Sequence, residues 1–215
     1  MVSATPALVT SPSKVPWHGL FIALLSLPAL WVLAAVVGEL NAPGSWLGAD
    51  PADALVDFLG TWALRLLLLT LAVSPLRRRL GWSFIAPWRR TAGLFAFGYL
   101  TAHLLGYAVL LNGLDWQTLL DDLTERRYII AGMLAFALLT PLAVTSTRGW
   151  QRRLRRRWQQ LHRLVFPATG AALLHLLWLT RDGYGEPLLY LGVFLVLLAE
   201  RAATRQQSRR GAVPG

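Results

Sequence analysis

The chain has 215 residues, of which 55% are hydrophobic and 15% charged, with 10 Trp, no Cys and a formal net charge of +10. So apolar and charge-poor a composition excludes an ordinary soluble domain and points to a polytopic membrane protein. Missing cysteines exclude disulfides, thiolate catalysis and cysteine-ligated iron–sulfur centres, and positive charge scattered between apolar runs argues against nucleic acid as a partner.

A membrane-spanning helix takes about 20 mostly apolar residues. Six stretches meet that need: Trp17–Val37, Ala54–Val73, Trp88–Leu111, Tyr128–Val144, Trp158–Leu179 and Pro187–Ala199. The first follows Lys14 without a convincing small-residue cleavage site and reads as a retained helix, not a removed signal. The last reaches Ala203 if Glu200 and Arg201 snorkel to the interface. No internal repeat stands out, and the connections are too short for a soluble catalytic domain. The expectation is an all-α, six-helix transmembrane bundle over residues 17–200. A short cytoplasmic segment over 1–16 precedes it, and a basic, disordered cytoplasmic tail over 201–215 follows.

Charge placement orients these spans. Lys14, Arg77 to Arg79, Arg89, Arg90, the run Arg148 to Arg163 and Arg201 to Arg210 all fall on one side. Opposite them lie Glu39, Asp50, Asp53, Asp115, Asp121, Asp122, Glu125, Asp182 and Glu186, with only Arg126, Arg127 and Arg181. Excess Lys and Arg marks the cytoplasmic side, so both termini are expected there. Tryptophans near the span ends, such as Trp17, Trp46, Trp88 and Trp158, suit an interfacial belt.

Three of the four histidines fall inside spans, where ionisable groups usually mark ion, proton or electron paths, and neutral imidazole is a common axial ligand to haem iron. Spans three and five run in the same direction. Arg89 to His103 and His162 to His175 each cover roughly 20 Å of helix. His103 and His175 therefore sit at one depth near the outer leaflet, and Arg89 and His162 at another near the cytoplasm. A bis-imidazole haem b between His103 and His175 is the simplest geometric reading. A second haem would have His162 on one face and no histidine opposite. His162 and His175 are out of phase on an ideal helix, and Pro167 between them could kink or rewind it. Gly93, Gly98, Gly106 and Gly170 would admit a porphyrin face or simply pack helices. Arg65 could pair with a propionate or an acidic side chain. Arg89 and Arg90 could neutralise propionates or set topology, Tyr107 could serve a cofactor or the interface, and His18 reads as a surface residue.

Several longer stretches carry a resemblance. They are Gly60-Thr61-Trp62-Ala63-Leu64-Arg65, Ser74-Pro75-Leu76-Arg77-Arg78, Arg89-Arg90-Thr91-Ala92-Gly93-Leu94 and Tyr99-Leu100-Thr101-Ala102-His103. With them go Arg126-Arg127-Tyr128-Ile129-Ile130-Ala131-Gly132, Pro141 to Ser146, Trp158 to Phe166, and His175. Together these resemble the MsrQ/YedZ family, haem-binding membrane subunits of periplasmic methionine-sulfoxide reductase systems within the ferric-reductase-like transmembrane group. The resemblance implies one or two b-type haems held through His103, His162 and His175, and a possible FMN association. It implies an electron-transfer subunit rather than an enzyme, set in a bacterial inner membrane. Electrons would come from the quinone pool or a cytosolic flavin reductase and go to a periplasmic molybdenum-containing reductase. The larger oxidase relatives carry two histidines on each ligand helix, and Arg89 stands where the fourth would fall. Two other readings stay open: a stand-alone ferric or quinone reductase, and a haem-free transporter or scaffold.

Overall fold

A computed structural model describes residues 17–181 and 183–210, with side chains to 207; Lys14, the expected segment 1–16, Asp182 and residues 211–215 lie outside it. Every described element is helical. In chain order they are α1 (Trp17–Asn41), α2 (Pro51–Leu80), α3 (Trp88–Gly106), α4 (Trp116–Glu125) and α5 (Arg127–Val144). After these come α6 (Arg148–Leu154), α7 (Arg156–Leu161), α8 (Val165–Leu179) and α9 (Gly185–Arg210). Local chemistry sets the ends. Asp50 Oδ1 accepts the Asp53 N–H at 3.1 Å, Pro51 opens α2, and Gly81 closes it at φ 69°. Only glycine adopts that left-handed stop without strain.

Five stretches are long and apolar enough to cross a membrane: Trp17–Asn41, Pro51–Leu80, Ser83–Leu111, Arg127–Val144 and Gly185–Gln207. The expected span Trp158–Leu179 is instead broken. α7 stops at Leu161, a 3-10 turn covers His162–Leu164, and α8 resumes at Val165. Pro167 explains the position of the break, because it offers no N–H to the Arg163 carbonyl and its ring crowds that oxygen. The 15 residues of α8 reach only roughly 22 Å. The tail departs from expectation too. α9 continues as helix to Arg210 rather than disordering at 201, tied to the end of α2 where Glu200 pairs with Arg79 and, at 3.6 Å, with Arg78. α4 was not among the expected elements; Asp115 caps it by accepting from Gln117 N–H.

Packing rests on two hairpins. α2 runs against α3, and α5 against α8. α1 joins through one inserted hydroxyl: Tyr99 accepts the Ala29 N–H and donates to the Leu25 carbonyl, both at 2.9 Å. Those two backbone groups would pair directly in a regular helix, and Pro28 beside them opens the ladder that Tyr99 fills.

The two hairpins share a register around their histidines. A step of 72 residues carries Val56 to Tyr128, Gly60 to Gly132 and His103 to His175 without a gap. The same step pairs buried Ala63 with Ala135, Leu67 with Leu139 and Ala96 with Ala168. The hairpins thus share one spacing at these positions, 72 residues apart. They run in the same sense along the membrane, so their histidines meet at one level.

Candidate functional site

His103 on α3 and His175 on α8 come together near the acidic end of the bundle, their ring centres 6.1 Å apart and their planes at 84°. Each ring is held from behind. The His103 Nδ1–H donates to the Val56 carbonyl at 2.8 Å, and the His175 Nδ1–H donates to the Tyr128 carbonyl at 2.7 Å. Carbonyl oxygens only accept, so both Nδ1 atoms carry the proton and both Nε2 atoms keep the lone pair. A carbonyl behind the ring is the usual support of a metal-bound imidazole.

The spacing tests what such a pair would hold. With about 2 Å from metal to imidazole nitrogen and about 1 Å more to the ring centre, two rings sharing one ion stand roughly 6 Å apart. The observed separation meets that requirement. Among the described residues no group of three or more His, Cys, Asp or Glu gathers to hold a bare ion. Two opposed imidazoles suit an iron that already carries four nitrogens of its own, so the residues fit a haem.

Two glycines touch these rings, and the sequence reading assigned them no role. A Cβ at Gly60 would stand 2.8 Å from His103 Nδ1, and one at Gly132 would stand 2.8 Å from His175 Nδ1. The signal that finds them is the spacing: in each hairpin the histidine follows its carbonyl by 47 residues and the glycine lies one helical turn after that carbonyl.

Toward the arginine-rich end lies a cavity of about 510 Å³, lined by His162, Arg89, Arg90, Arg163, Arg201 and Trp158 among others. Here His162 is not seated like the other two. Its Nε2 meets the Thr145 hydroxyl at 3.2 Å, that hydroxyl donates to the Pro141 carbonyl, and Trp158 stacks on the ring at 4.0 Å. The Thr145 oxygen thus accepts from Nε2–H, which leaves the lone pair on Nδ1. The same step matches His162 to Arg90, one residue beyond the expected Arg89, and both arginines line the cavity. Phe97 also lines it, stacked on Phe136 at 5.6 Å, about 9 Å of helix from His103.

The other expected residues divide. Gly93 lines this cavity, and a Cβ there would meet only the Thr70 side chain at 3.5 Å. Gly170 and Gly98 have open space beside them, whereas a Cβ at Gly106 would meet Val56 at 3.1 Å, a helix-packing contact. Arg65 takes the acidic partner of its two expected roles. It bonds Glu186 at 2.8 Å and the Tyr190 hydroxyl at 2.6 Å, with its guanidinium 5.3 Å from the Trp62 ring centre. His18 is exposed at the start of α1. Tyr107 belongs to a network above the histidine pair. Its hydroxyl donates to buried Asp122, Asp122 pairs with Arg126 at 2.7 Å, and Arg126 donates to the Tyr128 hydroxyl at 3.0 Å.

A family model described as the ferric reductase like transmembrane component matches residues 59–173. A relative from Xanthomonas oryzae pv. oryzae, described as protein-methionine-sulfoxide reductase heme-binding subunit MsrQ, is 45% identical over 174 residues, covering 78% of this chain and 79% of its own. Relatives under the same description come from Xanthomonas axonopodis pv. citri, 44% identical over 173 residues (78% and 79% covered), and Rhodospirillum rubrum, 44% identical over 191 residues (88% of each). No solved structure matches the chain.

Proposed function

The chain belongs to the ferric-reductase-like transmembrane family and, within it, to the MsrQ haem-binding subunits, and from that membership we propose that it carries electrons across a membrane to a methionine-sulfoxide-reducing partner. In this reading a b-type haem lies between His103 and His175. The observation that carries it is the pair itself: ring centres 6.1 Å apart with both Nδ1 atoms already committed to carbonyls. Bound there, the haem would supply one-electron redox chemistry, with a potential set by axial ligation and low dielectric.

The chain's own residues do the rest. The Val56 and Tyr128 carbonyls fix tautomer and ring orientation. At the arginine-rich end Arg89, Arg90, Arg163 and Arg201 would neutralise an anionic group beside His162, whether propionates of a second haem or the phosphate of FMN. We place that end in the cytoplasm of a bacterial inner membrane by the excess of arginine, with the broken α7–α8 segment as the sixth crossing and both termini inside. The donor, from the quinone pool or a cytosolic flavin reductase, then works toward one end. A periplasmic molybdenum-containing reductase is met at the other, and the sulfoxide chemistry belongs to that partner.

Purified protein should give a b-type reduced spectrum and a positive pyridine haemochrome. His103→Ala and His175→Ala should each lose the spectrum, while His18→Ala keeps it. Unchanged spectra in both of the first two would reject this ligand pair, and a colourless wild-type protein would favour a transporter or scaffold. Co-expression with the periplasmic reductase should make its reduction depend on this chain; reduction of ferric salts without any partner would favour the stand-alone reductase.

A further inference from the structure

An α-helix normally hides its carbonyls. The oxygen of residue i points along the axis at the N–H of residue i+4, and the side chain of i+4 stands beside it. At Val56 and Tyr128 the residue one turn on is Gly60 or Gly132, so the oxygen is open on one side. An imidazole edge occupies the space a side chain would take: a Cβ at Gly60 would lie 2.8 and 2.9 Å from His103 Nδ1 and Cε1, and one at Gly132 would lie 2.8 and 3.2 Å from the same atoms of His175. A ring that stepped aside would give up the carbonyl that holds its Nδ1–H.

We infer that Gly60 and Gly132 are positioning residues for the two axial imidazoles, each laying bare a helical carbonyl that sets its ring's rotation. This rests on the haem reading above. The two hairpins support it together: they differ at most positions, yet the bonded carbonyl, the glycine and the histidine recur at one offset of 72 residues. Because each ring answers to its own helix, the pair ends at 84° rather than coplanar. Perpendicular axial planes leave the two iron d orbitals that mix with imidazole π electrons nearly equal in energy. Low-spin ferric iron then gives a highly anisotropic electron paramagnetic resonance signal dominated by one low-field feature. Coplanar rings split those orbitals and give a three-line rhombic signal.

The test uses the oxidised, haem-loaded full chain in detergent. Wild-type protein should show the highly anisotropic signal. Gly60→Ala and Gly132→Ala should each replace it with a rhombic or high-spin signal, shift the midpoint potential and weaken haem retention about 10–100-fold, the usual effect of losing a group behind a metal-bound histidine. Gly192→Ala on α9, where a Cβ meets nothing within 4 Å, should leave all three unchanged. A rhombic wild-type signal would overturn the inference even if both variants failed to fold. So would anisotropic signals and wild-type retention in both variants. Absence of haem from wild-type protein would sink the functional reading itself, whereas haem lost in His103→Ala but indifferent to both glycine changes would sink this inference alone.

Discussion

Asp122 links the end of the His103 helix to the start of α5, whose Tyr128 carbonyl holds His175, and its replacement should be felt at both rings. Its side chain is only 7% exposed and bridges Tyr107, just beyond His103 on the same helix, to Arg126, which holds Tyr128. Asp122→Ala leaves the Tyr107 hydroxyl without its acceptor; a hydrogen bond to a charged group contributes about 1.5–3 kcal/mol. The Arg126 side chain is 52% exposed, so losing that ion pair adds at most about 1 kcal/mol once solvent screening is counted. The expected loss is therefore about 1.5–4 kcal/mol, which for a chain of this size lowers Tm by roughly 3–16 °C. Tyr107→Phe should cost less, and the two changes together should cost less than their sum, with a coupling of about 1–2 kcal/mol. Thermal unfolding of the purified protein followed by circular dichroism, over the full double-mutant cycle, reads this directly. Additive effects would show that Asp122 and Tyr107 act separately and that no outer bridge exists.

Tyr99→Phe should destabilise by about 1–2 kcal/mol, since the Ala29 N–H and Leu25 carbonyl lose the hydroxyl between them; unchanged stability would show that α1 closes its ladder without help. Glu186→Gln should cost under about 1 kcal/mol despite its contact with Arg65, because the two side chains are 54% and 43% exposed; a larger drop in Tm would refute the discount. The Thr118 hydroxyl, with the Gln117 N–H, holds the Asp115 carboxyl below the usual carboxylate range. A depressed folded-state value means the cap contributes fully above the unfolded value, about 3.9, and is lost as pH falls through the lower folded one. The protection of α4 amides, taken as the slowing of exchange relative to an unfolded chain at the same pH, should accordingly be high at neutral pH and fall below pH about 3.9; protection unaffected by acid would remove Asp115 as the cap.

Apolar length and charge segregation were legible because each span must satisfy its backbone internally whatever its neighbours do. The interruption of the fifth span was only half legible. Pro167 was visible, but whether it bends a helix or forces a tighter turn depends on what surrounds His162, and there Trp158 and Thr145 hold the ring. α4 left a readable trace in its Asp115 cap and in Trp116, Leu119, Leu120 and Leu123, spaced for a helix. The continuation of α9 left none, because its polar sequence carries no apolar period and its Glu200 is held by Arg78 and Arg79 far back in the chain. The role of Gly60 was hidden for a similar reason: a glycine in an apolar run reads equally as helix packing until the imidazole beside it is seen.

The shared register also shows how the two ends of the bundle differ. The spacing common to the two hairpins matters most where their side chains meet, at the histidine pair. At the acidic end the match is symmetrical, and both hairpins have carbonyl, glycine and histidine. At the arginine-rich end the hairpins differ: Arg90 faces the cavity from one and His162 from the other, with Ala86 matched to Trp158. An arginine cannot shed its charge as a histidine can, so the guanidinium groups around this cavity, of which those of Arg90 and Arg163 are exposed, would offer an anionic group charge-assisted hydrogen bonds. One hairpin pair thus offers two equal imidazoles at one end and a single imidazole in a cationic pocket at the other. In the proposed carrier that inequality would set a direction, with the arginine-rich end the one that would favour a group bringing its own negative charge.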